Sequence, residues 1–380
     1  MHIAILSFTD LARDQRVNRQ IRFLAERHRV TAIGGASPNV PGVDFVPASI
    51  LPRSVVGRAV TVAQMLLKLE DSRPMVDRFG REVLARLEAL DADLFVANDL
   101  EPLPLALSVA KGRPVVLDAH EYYPRRYEDR LSWRYLRNPY NAWLCQRLFP
   151  RTDAVMTVCQ GLAEQYDCDT GIRPLVITNA PEHADLCPVY RKNGEPIRMV
   201  YHGLASTSRR IEETMALMAY LDGRFSLDMY LVPGDEAYIS RLRRLAEKDT
   251  RITVCEPMPA DEIISRTHGY DIGVFLLPPT SFSYLHALPN KFFEFVQARL
   301  AVAVGPSPEM ASLVHQFDLG VVASDYSAQR LASALVRLDH DAINAYKAHA
   351  DAAARTLSAE ANKTALLELV EQVFQQERQP

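Results

Sequence analysis

The sequence predicts an α/β fold of two doubly wound domains, each a parallel sheet covered by helices. Three observations predict it. Short, continuous, β-branched apolar runs recur along the 380 residues, and runs that do not alternate with polar residues suit strands buried on both faces of a parallel sheet. Helical patterns lie between the runs, so strand and helix alternate. The runs form two series, separated by Pro181, Pro188, Asn193, Gly194 and Pro196 in a stretch without periodicity.

The first run, Ile3–Phe8, is followed at once by Asp10, Arg13 and Asp14 with no small-residue cleavage site, which makes it a strand and not a signal peptide. Val17, Ile21 and Leu24 then recur at helical spacing, with Arg16, Arg19 and Arg22 off that stripe. Further strands are expected at Val30–Ile33, Leu94–Ala97, Val115–Leu117, Ala154–Val158 and Leu175–Ile177. The second series is Ile197–Tyr201, Leu227–Val232, Ile252–Cys255, Ile272–Leu277, Ala301–Val304 and Gly320–Val322. Helices are expected at Glu262–Thr267, Lys291–Arg299 and Pro308–Val314, and a helical pattern with a polar end runs from about Ala352 to Gln376. The domains are drawn at 1–185 and 186–360, with a helical tail, 361–380, packing back on the N-terminal domain.

Composition excludes several classes. Apolar residues are 48% and charged residues 24%, the balance of a soluble globular protein and not of a disordered or fibrous one. A net charge of −4 disfavours a dedicated nucleic-acid binder. No apolar run reaches the ~18 residues of a spanning helix. The five cysteines form no C-x-x-C and no Cys/His cluster, so they read as thiols of a reducing cytoplasm rather than as a zinc or disulfide framework. The sixteen glycines supply no G-x-G-x-x-G, which argues against a dinucleotide dehydrogenase. His, Asp and Glu do not cluster at metal spacings, so no metal is expected.

Two such domains side by side leave a cleft at the carboxyl ends of their strands, where ligands of open α/β sheets bind. In the second half, strand Ile197–Tyr201 runs into His202 and Gly203, and Gly203 lets a backbone pass close to a ligand. Ser206, Thr207 and Ser208 are placed to cap a following helix, with Arg209 and Arg210 at its start. Cations there oppose the helix dipole, which an anionic partner such as diphosphate explains; a solvated arginine pair is the other reading. A second run, Leu288-Pro289-Asn290-Lys291-Phe292-Phe293-Glu294, begins a helix. Lys291 lies on its first turn, in reach of phosphate. Glu294 lies one turn in, where a carboxylate accepts two ribose hydroxyls or merely complements the dipole.

These residues carry a resemblance. The chain resembles, over nearly its whole length, the retaining GT-B glycosyltransferases of family 4, which transfer sugars from nucleotide diphosphates and pair two Rossmann-like domains. Pro289 to Glu294 resembles the second half of that family's Glu-x7-Glu motif. Asn98-Asp99, Asp118-Ala119-His120-Glu121, Asn179-Ala180-Pro181 and Asp14-Gln15-Arg16-Val17 resemble recurrent motifs of bacterial polysaccharide members. The resemblance implies donor binding by Gly203, Arg209, His286, Ala287, Leu288, Pro289, Asn290, Lys291 and Glu294, with Glu294 on the donor ribose. It implies catalytic roles for His120, Arg209 and Lys291, and acceptor contacts at Asp10, Arg16, Asn98 and Asp99. Asp118 and Glu121 would orient their neighbours. Two departures stand out: His286 occupies the place of the first glutamate, and Ser7, Phe8, Thr9 and Asp10 replace the usual Gly-Gly loop.

The implied reaction is a metal-independent, front-face transfer with retention, in which the leaving phosphate takes the acceptor's proton. It needs no cofactor; the substrates are a UDP- or GDP-linked sugar and a glycan or lipid-linked acceptor, in surface polysaccharide or glycolipid biosynthesis. Seven arginines between Arg125 and Arg151, with Trp133, Trp143 and several tyrosines, have the composition of a bilayer interface. Apolar Val55–Leu69, with Arg58 and Lys68, is a second such stretch. The other reading puts the aromatics in the core and the arginines in salt bridges. The expected location is the cytoplasm, at the inner face of the membrane. A sugar-nucleotide epimerase on the same architecture is an alternative, for which His120 and His286 are the candidate cleft histidines. A phosphorylase would want a cofactor-bearing lysine that nothing marks. A non-catalytic nucleotide-sugar-binding partner is the third reading.

Overall fold

The computed structural model describes residues 1–38, 40–48, 54–69 and 83–377. Residues 378–380 of the expected tail, and 39, 49–53 and 70–82 of the expected first domain, lie outside the described residues. The chain divides into two units. The first comprises Met1–Thr178, Ser281–Ser283 and Lys363–Pro380; the second comprises Asn179–Thr280 and Tyr284–Asn362.

Among the described residues, the first unit holds a parallel seven-stranded sheet in the order β3-β2-β1-β4-β5-β6-β7. Its strands are β1 (His2–Leu6), β2 (Arg29–Gly34), β3 (Asp44–Pro47), β4 (Leu94–Asn98), β5 (Val115–Ala119), β6 (Ala154–Thr157) and β7 (Leu175–Val176). The central strands are the continuous apolar runs: every residue of β4 and β5 is buried. Edge strand β3 has no buried residue, so no apolar run marked it in the sequence. The helix Gln15–Ala25 buries the stripe Val17, Ile21 and Leu24, and Asp14 caps it by accepting from Val17 N at 3.1 Å.

The second unit repeats the plan with six parallel strands, ordered β10-β9-β8-β11-β12-β13. They are β8 (Ile197–Ala205), β9 (Phe225–Pro233), β10 (Ile252–Cys255), β11 (Ile272–Phe275), β12 (Ala301–Val304) and β13 (Gly320–Val322). In both sheets the strand order reverses once, between β1 and β4 and between β8 and β11, with every strand parallel. In open sheets that reversal splays the loops and makes a crevice at the carboxyl ends of the strands. In the second unit the splay is visible in the register. β8 pairs with β9 as far as Ala205, but with β11 only at Met199 and Val200. Gly273 on β11 has no Cβ; one placed there would lie 2.3 Å from the Phe295 ring. That close approach seats the helix Asn290–Gln297 on the sheet.

The proline-rich segment after Thr178 has no regular structure yet belongs to the second unit. Ala184 is gripped at both ends: its N–H donates to Gln297 Oε1 at 3.0 Å, and its carbonyl accepts from Arg299 at 2.8 Å. Arg191 donates to the buried Asp271 at 3.0 Å. These bonds place the division between the units at Thr178/Asn179, seven residues before the boundary drawn at 185. The tail forms the helix Ala359–Glu377, and its residues from Lys363 onward group with the first unit.

Candidate functional site

The second unit gathers its candidates around the carboxyl end of β8. The sequence expectation ended that strand at Tyr201; it continues to Ala205, so Gly203 lies within it, at φ 129°. A Cβ on Gly203 would lie 3.0 Å from Lys291 Nζ and 3.3 Å from Arg209 Nη1. The glycine therefore leaves open the point on which two cations from different elements converge.

Lys291 comes from the first turn of the helix Asn290–Gln297 and is buried. Its Nζ has no hydrogen-bond partner among the described residues, and sits 4.1 Å from the centre of the Tyr201 ring and 4.2 Å from that of Phe275. Burial, and then the charge of Arg209, pull its pKa well below the usual lysine range, with Glu294 opposing them. His202, next to Gly203, is buried, its Nε2 without a hydrogen bond among the described residues and 3.5 Å from Glu294 Oε2. Burial, Lys291 and Arg209 push its pKa down to about 3, so His202 is neutral.

Ser206, Thr207 and Ser208 do not cap a helix as expected. Thr207–Arg209 is a 3₁₀ turn, Arg210 is left-handed at φ 48°, and the short helix Ile211–Met215 begins only afterwards, without a side-chain cap. Ser206 and Ser208 hydroxyls bond one another at 2.9 Å, and Ser208 bonds Tyr284 at 2.8 Å. Arg209 thus lies one residue before the N-cap of that short helix, and donates to Leu204 O at 3.4 Å. Arg210 turns away to Glu213, at 2.8 Å.

Loop 285–289 stands beside this cluster in sequence, leading into the helix of Lys291. His286 Nδ1 meets Glu309 Oε1 at 3.0 Å, and Ser307 Oγ donates to Leu285 O at 2.9 Å. Both partners come from the start of the helix Pro308–Phe317, so the next βα connection fastens the loop. Ala287, Pro289 and Asn290 are half-buried and Leu288 is buried. Glu309, Tyr284 and the rings of Tyr201 and Phe275 went unnoticed in the sequence. Tyr201 lies within β8 and Phe275 ends β11, so the sequence marked these two only as strand residues.

The first unit has its own cluster, at the carboxyl ends of β4 and β5. Asp118, fully enclosed, takes two donors from Arg16, Nε at 2.9 Å and Nη2 at 2.7 Å, and one from Gln20 at 3.2 Å. Burial raises the pKa of this carboxyl, but Arg16 and His120 outweigh it and hold it well below the usual carboxylate range. Arg16 also donates to Ile177 O at 2.7 Å. Removing one partner of such a buried pair costs ~3–5 kcal/mol. Arg16, expected at the acceptor, thus has its guanidinium bonded to Asp118 and to Ile177 O. Asn98, buried, donates to Gln20 and meets His120 Nε2 at 3.3 Å.

His120 stands between two carboxylates, Nε2 3.3 Å from Asp118 and Nδ1 3.4 Å from Asp99. Burial works to lower its pKa, yet Asp99 and Asp118 together hold it above the ordinary histidine value. Asp99, left-handed at φ 78°, also accepts from the Tyr123 hydroxyl. Glu121 is paired with Arg126 at 2.6 Å. Asp10 is apart from this network. It is exposed, its carboxylate accepting from Ala12 N at 3.1 Å and lying 3.5 Å from Arg13.

Among the described residues no three His, Cys, Asp or Glu side chains group as a metal site. The Asp-x-Asp triplets at Asp91, Asp167 and Asp339 are engaged locally. Asp93 accepts from His2 N, Asp167 pairs with Arg173, Asp169 accepts from Tyr122, and Asp339 caps a helix.

Residues 15–182 match the sequence model of Glycosyltransferase Family 4. Solved structures share the fold over almost the whole chain. Sucrose-phosphate synthase from Thermosynechococcus elongatus superposes with a TM-score of 0.75 at 16% identity, covering 98% of this chain and 99% of that one. Anabaena HepE in complex with UDP and glucose gives 0.70 at 13% identity, covering 98% and 100%. An E. coli structure described as trehalose-6-phosphate bound with UDP-2-fluoro glucose gives 0.69 at 11%, covering 99% of each. No curated protein sequence matches the chain.

Proposed function

We propose that this chain, whose fold is that of the GT-B glycosyltransferases, transfers a sugar from a nucleotide diphosphate to a glycan or lipid-linked acceptor. The observation that carries the reading is the meeting of Lys291 and Arg209 over Gly203. Two cations held at one point repel each other. A buried ammonium without a hydrogen bond costs further free energy. Both costs turn into binding free energy when an anion with several acceptor oxygens enters, and a diphosphate is such an anion. The donor base is uridine or guanosine; the UDP of HepE and the UDP-2-fluoro glucose of the E. coli structure support uridine.

In this reading the anomeric bond breaks as negative charge grows on the leaving phosphate. Lys291, Arg209 and the first-turn amides after Pro289 stand where that charge develops, a preorganised arrangement that needs no reorganisation during reaction. They do the work a divalent metal does elsewhere, so transfer is metal-independent and needs no cofactor. Retention follows a front-face route in which the leaving phosphate takes the acceptor's proton. Glu294 accepts the ribose hydroxyls, and His286, oriented by Glu309, lies toward the sugar end. In the first unit His120, between Asp99 and Asp118, which favour its charged form, stands by the transferred sugar. Asp99 and Asp10 offer the acceptor carboxylates. The product belongs to a surface polysaccharide or glycolipid, and the place of work is the cytoplasmic side of a membrane met through residues 125–151.

Binding tests the reading directly. UDP and UDP-sugars at ~100 times their dissociation constant are expected to stabilise the protein by about 2.7 kcal/mol, seen as a raised melting temperature. Glu294→Gln is expected to weaken that binding roughly tenfold or more, the loss of a hydrogen bond to a charged group, with a smaller effect on the chemical step. No stabilisation by any nucleoside diphosphate would overturn the assignment, and unchanged affinity in the variant would leave Glu294 a helix-dipole residue.

A further inference from the structure

We infer that the first unit carries a docking surface for an anionic lipid bilayer, in which the helix Val55–Leu67 enters the acyl boundary and nearby arginines meet the headgroups. The inference deepens the membrane contact proposed above, but it rests on the surface itself and not on the transfer reaction. Of the 13 residues in that helix only Thr61 is buried. Val55, Val56, Val60, Val62, Leu66 and Leu67 are exposed, Val55 at 73% and Leu66 at 69%. A helix of a globular protein turns its apolar stripe inward; this one turns in a threonine, whose hydroxyl donates to Gly57 O at 2.8 Å, and leaves the aliphatic side chains outside. Contiguous exposed apolar surface of this kind marks an interaction site.

The surroundings identify the partner. The helix lies against Trp133–Arg137, and Tyr140 donates its hydroxyl to Leu69 O at 2.8 Å. Leu131 and Tyr135 are exposed there, at 71% and 72%. Arg137 lies 4.7 Å from the centre of the Trp133 ring, and Arg147 lies 5.8 Å from that of Trp143. Both tryptophans are half-buried, neither core nor free surface, while Arg130, Arg134 and Arg147 are exposed. Residues 125–151 hold seven arginines against two acids, and one of these, Glu128, is held by Arg125. From Ser54 to Leu69 the charged residues are Arg58 and Lys68. A second copy of the chain would bring this positive charge against itself. Anionic headgroups neutralise it while the acyl boundary takes the valines and leucines, and tryptophan and tyrosine suit the level between.

The test uses the full chain and sedimentation with vesicles of phosphatidylcholine alone or mixed with phosphatidylglycerol. Binding to the mixed vesicles is expected, weakening as salt shortens the screening length. Leu66→Asp with Leu67→Asp is expected to cut it at least about tenfold without moving the melting temperature, since both side chains are already exposed. Arg130→Glu with Arg134→Glu is expected to remove most of the salt-sensitive part. Equal binding of wild type and Leu66→Asp/Leu67→Asp would overturn the inference. So would failure of the wild type to bind mixed vesicles, or light scattering that shows a dimer which the leucine changes dissociate. UDP binding by the same samples is a separate readout, so failure here leaves the donor site standing and failure there leaves this surface standing.

Discussion

Lys291→Met is expected to give a protein at least as stable as the wild type with turnover lowered by a factor of ~10²–10³. Most buried side chains stabilise what they touch, and their loss lowers the melting temperature. Lys291 differs because its Nζ has no hydrogen-bond partner among the described residues and sits beside Arg209, so an apolar side chain of similar length keeps the packing against Tyr201 and Phe275 and removes a buried amine left unsatisfied. Arg209→Ala should show the same loss of turnover. Its half-exposed side chain donates to Leu204 O at 3.4 Å and bonds the Tyr201 hydroxyl, so stability should fall only modestly, by about 1 kcal/mol. Melting curves and initial rates on the two variants separate a binding role from a scaffolding one. A stable Lys291→Met with near wild-type turnover would remove the cation pair from the reaction.

Gly203→Ala is expected to abolish most nucleotide-diphosphate binding. Two effects add. At φ 129° an L side chain is strained, which costs ~1–3 kcal/mol of stability. The new methyl would also stand 3.0 Å from Lys291 Nζ and 3.3 Å from Arg209 Nη1, in the space the phosphates would use. The ammonium is the end of a flexible chain and can give way, so the fold should survive with a lowered melting temperature. Calorimetry with UDP reads the second effect and thermal melting the first. Adding Lys291→Met to Gly203→Ala should restore part of the stability and none of the binding. Undiminished UDP affinity in Gly203→Ala would place the diphosphate elsewhere.

The strands were legible because burial on both faces writes them as unbroken apolar runs. β4 and β5 are such runs, and β3, an edge with no buried residue, is not. Lys291, Glu294 and Gly203 were legible as a pattern of residue types near a helix start. Their meeting was not, because it depends on β8 parting from β11 after Val200, a matter of register that no local spacing records. The serines at 206 and 208 misled for a related reason. Hydroxyls before an arginine pair read as a cap, but Tyr284, distant in sequence, claims Ser208. Arg16 is named as an acceptor contact by the resemblance of Asp14-Gln15-Arg16-Val17, which says nothing of its bonds in this fold. Its partner, Asp118, lies on the other side of the sheet order, and only the folded sheet brings the two together.

The depressed pKa of Lys291 has a consequence for the energetics of binding. Burial and Arg209 disfavour its ammonium form in the free protein, whereas a diphosphate beside it favours that form. The lysine pKa is then higher in the complex than in the free protein, and between the two values ligand binding takes up a proton from solution. Linkage fixes the sign: affinity is greatest below the lower pKa and falls as pH rises through the window, by up to tenfold per unit. The heat of UDP binding should accordingly vary with the ionisation enthalpy of the buffer, and Lys291→Met should erase that dependence. Nucleotide-diphosphate affinity and proton activity are coupled through one side chain in the proposed site, so a local rise in pH would loosen the protein's hold on such a ligand.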